Sequence, residues 1–298
     1  MISEFPKFKR LALDDKDQVD AITAKYPPYS DFEFASMWAW DVKEEMAITD
    51  LNGNLAIRFT DYLSGTPFYT FLGADYTNET ADTLLGYALS QGHEARLKLV
   101  PEIAVATMDR ERFLVEEDRD HFDYIYAIES YVDYKEPALK KVRNTLNAHR
   151  RRHSGHITVQ LELSDRQTDA LIFDLCERWE RRSKMPIQNE SAALSRFLKS
   201  ASAFKCVTVG IIYGETLVAI SLTVLLEKGN CSCLFARGDT AYHGIYALLM
   251  HETAKILIEK GYQFMNYEQD LGIPNLRAAK LAFSPTYFLK KYTVAHAQ

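Results

Sequence analysis

Several things are scarce or missing in these 298 residues. Cysteine occurs only at Cys176, Cys206, Cys231 and Cys233. Cys231 and Cys233 stand two apart in an apolar run, where a strand turns both to one face. No second Cys or His pair flanks them as a metal site requires, so all four read as reduced thiols. His93, His121, His149, His156 and His251 show no pairing that suggests a metal either. No run of about eighteen apolar residues is present to span a bilayer. The N-terminus, M-I-S-E-F-P-K-F-K-R, has no signal-peptide core. A cytoplasmic protein, in solution or peripheral to the membrane, is the expectation. A Gly-rich dinucleotide fingerprint, a nucleophile elbow and a phosphate-binding loop ending in Lys-Ser/Thr are all missing, which argues against a dehydrogenase or a hydrolase. Basic excess is absent too. Thirty-five Lys and Arg against 41 Asp and Glu leave a net charge of −6, contrary to a protein wrapped in DNA.

What is present is ample apolar material, 47% hydrophobic with 12% aromatic, enough for one large or two ordinary domains. The first half reads as a strand over 7–13, helices capped by Asp14 and Asp31, and a hairpin 46–51/55–62 around Asn52-Gly53-Asn54. Then come a strand 68–72, a helix 79–90, a strand 96–100, a short helix 102–108 and a strand 122–128. The second half reads as a strand 156–161, a helix from Asp165 to about 182 and a helix 189–201. It continues with a hairpin 206–213/216–226 around Gly214-Glu215, a strand 231–236 and a helix 245–260 closed by Gly261. A strand 262–267, a short helix capped by Asn275 and a strand 286–294 end the chain. Trp38, Trp40 and Trp179 lie on apolar helix faces and read as core.

The two halves share an element order without sharing residues: strand, two helices, three strands, helix, strand, short helix, strand. That order is similar to the GCN5-related N-acyltransferases, whose mixed sheet binds an acyl donor where two parallel strands part. The expectation is therefore an α/β chain of two tandem acyltransferase-like domains, 1–132 and 133–298, with the active site in the second.

The stretch Tyr262 to Pro285, Y-Q-F-M-N-Y-E-Q-D-L-G-I-P-N-L-R-A-A-K-L-A-F-S-P, concentrates the chemistry. Glu268 and Asp270 follow a strand at the place where open α/β sheets bind ligands. Arg277 and Lys280, at i and i+3, project from one helix face. On spacing alone these four fit a surface salt-bridge cluster as well as a site. Glu268 and Asp270 are the candidate bases or amine anchors. The strand-to-helix loop R-G-D-T-A-Y-H-G, with Arg237, His243 and Gly244, suits a phosphate at a helix N-terminus, or is an ordinary connection. Residues 135–153 hold seven Lys and Arg against one carboxylate, Glu136. There Lys140, Asn144, Asn147 and Arg151 share one helix face, and Lys140, Arg143 and Asn144 are candidates to grip a phosphate backbone or lipid headgroup, unless the stretch is only a solvated face.

From Asn266 onward, N-Y-E-Q-D-L-G-I-P-N-L-R-A-A-K-L-A-F-S-P resembles the signature of the phosphatidylglycerol lysyltransferase C-terminal-like family. S-D-F-E-F-A-S-M-W-A-W at Ser30, D-H-F-D-Y-I-Y at Asp120 and L-K-K-V-R-N-T-L-N at Leu139 resemble its other conserved stretches. Asn275 and Arg237 depart from the family pattern. The resemblance implies a tandem acyltransferase fold like that of the aminoacyl-tRNA-dependent peptidoglycan-bridge transferases. It implies catalytic Glu268 and Asp270, with Arg277 and Lys280 binding substrate, to which the residues themselves add Asn266, Arg237, His243 and Gly244 as substrate-binding candidates. No tightly bound cofactor or metal is expected. The donor is an aminoacyl-tRNA or an acyl-CoA, and the acceptor a small amine, hydroxyl or lipid headgroup. A tandem module that binds a ligand without turnover is the competing reading.

Overall fold

In a computed structural model, which describes residues 1–61, 65–163, 165–182 and 189–297, backbone geometry follows the period of the apolar residues. The elements begin with β1 (Lys9–Arg10), α1 (Lys16–Thr23), α2 (Phe34–Trp40), β2 (Ala47–Leu51), β3 (Asn54–Thr60) and β4 (Pro67–Leu72). Next are α3 (Thr77–Ser90), β5 (Leu97–Pro101), α4 (Glu102–Val105), β6 (Phe113–Glu117), β7 (Asp123–Ala127), α5 (Ser130–Asp133) and α6 (Lys140–Arg152). The second half contains β8 (His156–Gln160), α7 (Arg166–Arg182), α8 (Glu190–Lys199), β9 (Cys206–Tyr213), β10 (Thr216–Leu225) and β11 (Asn230–Gly238). The chain ends with α9 (Ile245–Glu259), β12 (Phe264–Asn266), α10 (Pro274–Ala282), β13 (Tyr287–Leu289) and β14 (Lys291–His296). Tyr62, the last residue of the expected hairpin, lies outside the described residues.

The strands form two seven-stranded mixed sheets, β1-β2-β3-β4-β5-β14-β6 and β13-β7-β12-β11-β10-β9-β8. Two strands cross the expected division of the chain. β7 pairs with β12 and β13 in the second sheet, and β14 slots between β5 and β6 in the first. The expected strand 286–294 is therefore two strands, parted at Lys290. Alternation cannot reveal that break, because pairing partners change while the side-chain period continues. β6 was not anticipated either. Only its first residue is buried, so it carries no apolar alternation.

Three expected helix caps differ. Asp14 lies within a 3-10 turn over Leu13–Asp15, and Asp15 takes the N-cap position of α1. Glu33, not Asp31, caps α2, its carboxylate accepting from Ala35 N (2.8 Å) and Ser36 N (2.9 Å). Pro274, not Asn275, opens α10, since its missing N–H costs nothing in a first turn.

The sheets share one apolar layer. Met46, Ile48, Ile57 and Phe59 face it from the first sheet, and Ile220, Leu222 and Phe235 from the second, with α2 and α8 between. Leu84 and Leu85 of α3 cover the first sheet's outer face, while Leu248, Leu249 and Leu257 of α9 cover the second's. Buried on both faces, β10 reads as a nearly continuous apolar run.

Where the halves exchange strands, one polar cluster is sealed inside. Lys291 Nζ, from β14, ion-pairs with Asp31 and with Asp123 Oδ1 (2.8 Å) on β7. Ser30 donates to Asp123 through Oγ (2.6 Å) and N (2.9 Å). Gln269 Nε2 donates to Asp31 Oδ1 at 3.0 Å. Burial works against the Lys291 ammonium, but the charges of Asp123 and Asp31 outweigh it and hold its pKa above the ordinary lysine range. Removing the cation alone strands two buried carboxylates. Lys291→Ala is therefore expected to cost about 3–5 kcal/mol in urea unfolding, and a loss below about 1 kcal/mol would contradict a closed bridge.

Candidate functional site

β11 and β12 are parallel and pair at Asn230↔Phe264, Cys231↔Met265 and Ser232↔Asn266. β12 then stops while β11 runs on to Gly238, so the strands part beyond Ser232. A cavity of about 520 Å³ opens in the gap. Cys233, Ala236 and Arg237 line it from β11, and Tyr267, Glu268 and Gln269 from the turn after β12. This is the topological switch point at which open α/β sheets bind ligands.

The turn carrying Glu268 is strained and heavily braced. Glu268 and Leu271 hold φ of 57° and 54°, a region side-chain-bearing residues seldom enter. Asn266, itself buried, accepts from Glu268 N at 2.7 Å and donates to Pro28 O at 2.7 Å. Lys280 Nζ donates to the carbonyls of Tyr267 (2.5 Å) and Gln269 (2.6 Å). Gly272 is required at φ 68°, because a Cβ there would meet Asp120 Oδ2 at 2.7 Å.

Asp270 is fully buried and its carboxylate is filled. It accepts from Tyr124 Oη (2.5 Å), Arg119 (3.1 Å), Gly272 N (2.9 Å) and two nitrogens of Arg277 (2.9 and 2.7 Å). Burial opposes its charge, but the bonds from Arg277, Tyr124 and Gly272 prevail and hold it below the ordinary carboxylate range. Arg277 also reaches Asp120 at 2.6 Å, and these two carboxylates raise its own pKa. Neither Asp270 nor Arg277 lines the cavity. Asn266, Asp270 and Arg277, expected at the substrate, brace the turn from behind.

Lys280 and Glu268 do line the cavity, and the buried Oε1 of Glu268 has no hydrogen-bond partner among the described residues. Burial pushes its carboxyl up to about 8. The Lys280 charge opposes that rise, while Asp123, Asp31 and Glu33 reinforce it. Burial likewise draws Lys280 down to about 8, against the pull of Glu268. A carboxyl with an unspent oxygen and a pKa near the working pH is suited to general acid–base chemistry.

The remaining expected residues separate into two places. Arg237 lines the cavity, ion-paired to Glu190 and lying 4.4 Å from the ring centre of Trp179. Burial lowers its pKa. Gly244, at φ 87°, also lines the cavity, and a Cβ there would press on Thr145 O (3.1 Å) and His149 Cβ (3.2 Å). α6 thus packs hard onto the turn before α9. Lys140, Asn144 and His243 lie instead in a shallow surface groove of about 530 Å³ along α6, which shares Lys141 and Thr145 with the cavity. Arg143 is turned away and donates to Tyr134 O (2.5 Å) and Lys135 O (3.2 Å). Sequence reasoning missed Trp40, Trp179, Glu190 and Tyr246, all on the cavity wall. An apolar helix face looks the same whether it meets a core or a cavity, so the tryptophans gave no separate signal. Among the described residues no group of three metal-ligating side chains occurs, and no helix is long and apolar enough to cross a membrane.

The family model for the C-terminal part of phosphatidylglycerol lysyltransferase matches residues 23–295. The chain belongs to that family. A conserved protein of unknown function from Bacteroides thetaiotaomicron superposes with a TM-score of 0.84 at 24% identity, over 100% of both chains. L-PGS from Bacillus licheniformis gives 0.64 at 13% identity, over 99% of this chain and 93% of that one. A tandem GNAT protein from the clavulanic acid biosynthesis pathway gives 0.53 at 10% identity, over 98% of each. The fold is thus a tandem GNAT arrangement. No curated protein sequence matches.

The bracing cluster has a pH signature. Asp270's folded pKa lies below its unfolded one, so its contribution is full above about pH 4 and is lost as pH falls through the folded value. Asp270→Ala is expected to cost about 2–3 kcal/mol at pH 7 and to flatten the acid limb of the stability profile. Urea midpoints at several pH values measure both; equal acid limbs would contradict the bracing role.

Proposed function

We propose that this member of the phosphatidylglycerol lysyltransferase C-terminal family transfers an acyl group, foremost an aminoacyl group from a tRNA-type ester, to an amine or hydroxyl. The observation that carries the reading is Glu268, the cavity carboxyl with a free oxygen and a pKa raised to about 8. Acyl transfer asks little of a protein beyond a positioned carbonyl, charge stabilisation and a base for the nucleophile's proton. In this scheme the acceptor nitrogen or oxygen bonds to the carbonyl carbon and gives its proton to the Glu268 carboxylate. The ester C–O bond then breaks, and the proton passes to the departing ribose oxygen. Lys280 keeps the turn, and so Glu268, in register through its two carbonyl bonds.

The α6 groove supports a nucleic-acid donor. Its cations Lys140, Lys141 and Arg152 line a surface that runs into the cavity, suited to a phosphate backbone. Coenzyme A is the second candidate donor, since Gly244 at the start of α9 also lines the cavity. The acceptor would be a lipid headgroup or a small molecule.

Hydroxylamine serves as a generic acceptor for testing chemistry, with charged tRNA and acetyl-CoA as alternative donors. Glu268→Gln should lower transfer about 10²–10⁴-fold while the protein stays folded. The wild-type rate should climb with pH and level off above about 8, because only the ionised carboxyl takes a proton. Stability moves the opposite way. A folded pKa above the unfolded one gives a contribution full below about 4.5 and lost as pH rises through about 8, so Glu268→Gln should gain relative stability at alkaline pH. Undiminished transfer by Glu268→Gln would refute the assignment, and donor binding without any transfer would leave only a binding module.

A further inference from the structure

The cavity wall carries a charge arrangement that bears on which acyl group it accepts. Its lining carboxylates, among the described residues, are Glu190 and Glu268, and its lining cations are Lys141, Arg237 and Lys280. Glu190 is spent on Arg237, with the two side chains only 10% and 18% exposed. That pair is held in place by Trp179, whose ring lies 4.4 Å from the guanidinium. The intervening stretch 183–188, S-K-M-P-I-Q, adds no carboxylate to the sequence. The one of these carboxylates without an ion-pair partner of this kind is Glu268, the base itself, next to Lys280; the neutral Gln269 Oε1, on the same wall, is the other acceptor left without a partner among the described residues. Most of the rest of the wall is apolar or aromatic, including Trp40, Val142, Tyr246, Met250 and Phe283.

From this geometry we infer that the site takes a neutral, apolar acyl or aminoacyl side chain and rejects a lysyl-type one, with the Arg237–Glu190 pair as the specificity-determining element. This rests on the transferase reading above and narrows its substrate. An ε-ammonium entering the cavity meets a guanidinium with its counter-charge already taken. It either stays without a counter-charge, with the neutral Gln269 Oε1 as the acceptor at hand, or binds Glu268 and so removes the base from the reaction. A phenyl or branched alkyl group meets aromatic walls that cost it nothing to face.

The test is equilibrium binding of unreactive donor analogues to the wild-type protein, followed by tryptophan fluorescence and calorimetry. One series is 3′-amino-3′-deoxyadenosine carrying phenylalanyl or lysyl through an amide. The other is coenzyme A thioethers bearing phenylpropyl or 6-aminohexyl chains, so the two series also separate the donor classes. In whichever series binds, the apolar member should bind at least tenfold tighter, about 1.4 kcal/mol. Arg237→Ala, which frees Glu190, should shrink that ratio by improving the cationic member, and Arg237→Lys should retain it. A cationic analogue that binds as tightly as its apolar partner overturns the inference and leaves the transferase reading standing. If neither series binds, the transferase reading fails and this inference fails with it.

Discussion

The buried bridge from Lys291 to Asp31 and Asp123 is the constraint on which the rest of the molecule depends. Its three members come from the last strand, the segment before α2, and the strand that the first half lends to the second sheet. An ion pair in the interior is a weak source of net stability, because desolvation consumes most of the attraction. Its effect is specification. Only the strand exchange that places β14 in one sheet and β7 in the other brings these charges together; any other pairing leaves them uncompensated. One ammonium between two carboxylates also leaves net negative charge inside. Both carboxylates reinforce the rise in the Glu268 pKa that burial begins.

The turn after β12 shows the same economy. Asn266, Asp270, Arg277 and Lys280 spend their hydrogen bonds on the backbone and on each other. Glu268 lines the cavity and is left with a buried oxygen that has no hydrogen-bond partner among the described residues. Holding a side-chain-bearing residue at positive φ costs of order 1–3 kcal/mol, and such strain persists only where surrounding contacts over-determine it. Four bracing residues around one unspent carboxyl fit a site built to present that group.

Much of this was legible in the sequence because it is local. Both hairpins, the Gly261 cap and the pairing of carboxylates with cations between Glu268 and Lys280 follow from period, turn chemistry and helix spacing. The division of labour among those charges was not legible. It is set by Arg119, Asp120 and Tyr124, some 150 residues earlier, which reach the turn only through the exchange of β7. Asp31 illustrates the same limit: its place before an apolar helical run looks like a cap, yet Glu33 takes that role and Asp31 joins the bridge. A cavity wall and a core face also share one apolar pattern, which is why Trp40 and Trp179 carried no signal of their own.

Burial, reinforced by the charges of Asp123, Asp31 and Glu33, raises the carboxyl of Glu268 to about 8 at the cavity wall. The most direct measurement is a carbon-13 NMR titration of protein labelled at the glutamate side-chain carboxyls, with Glu268→Gln used to assign the resonance. One carboxyl resonance is expected to titrate near 8 and to vanish in the variant. A Glu268 resonance titrating in the ordinary range near 4.5 would contradict it.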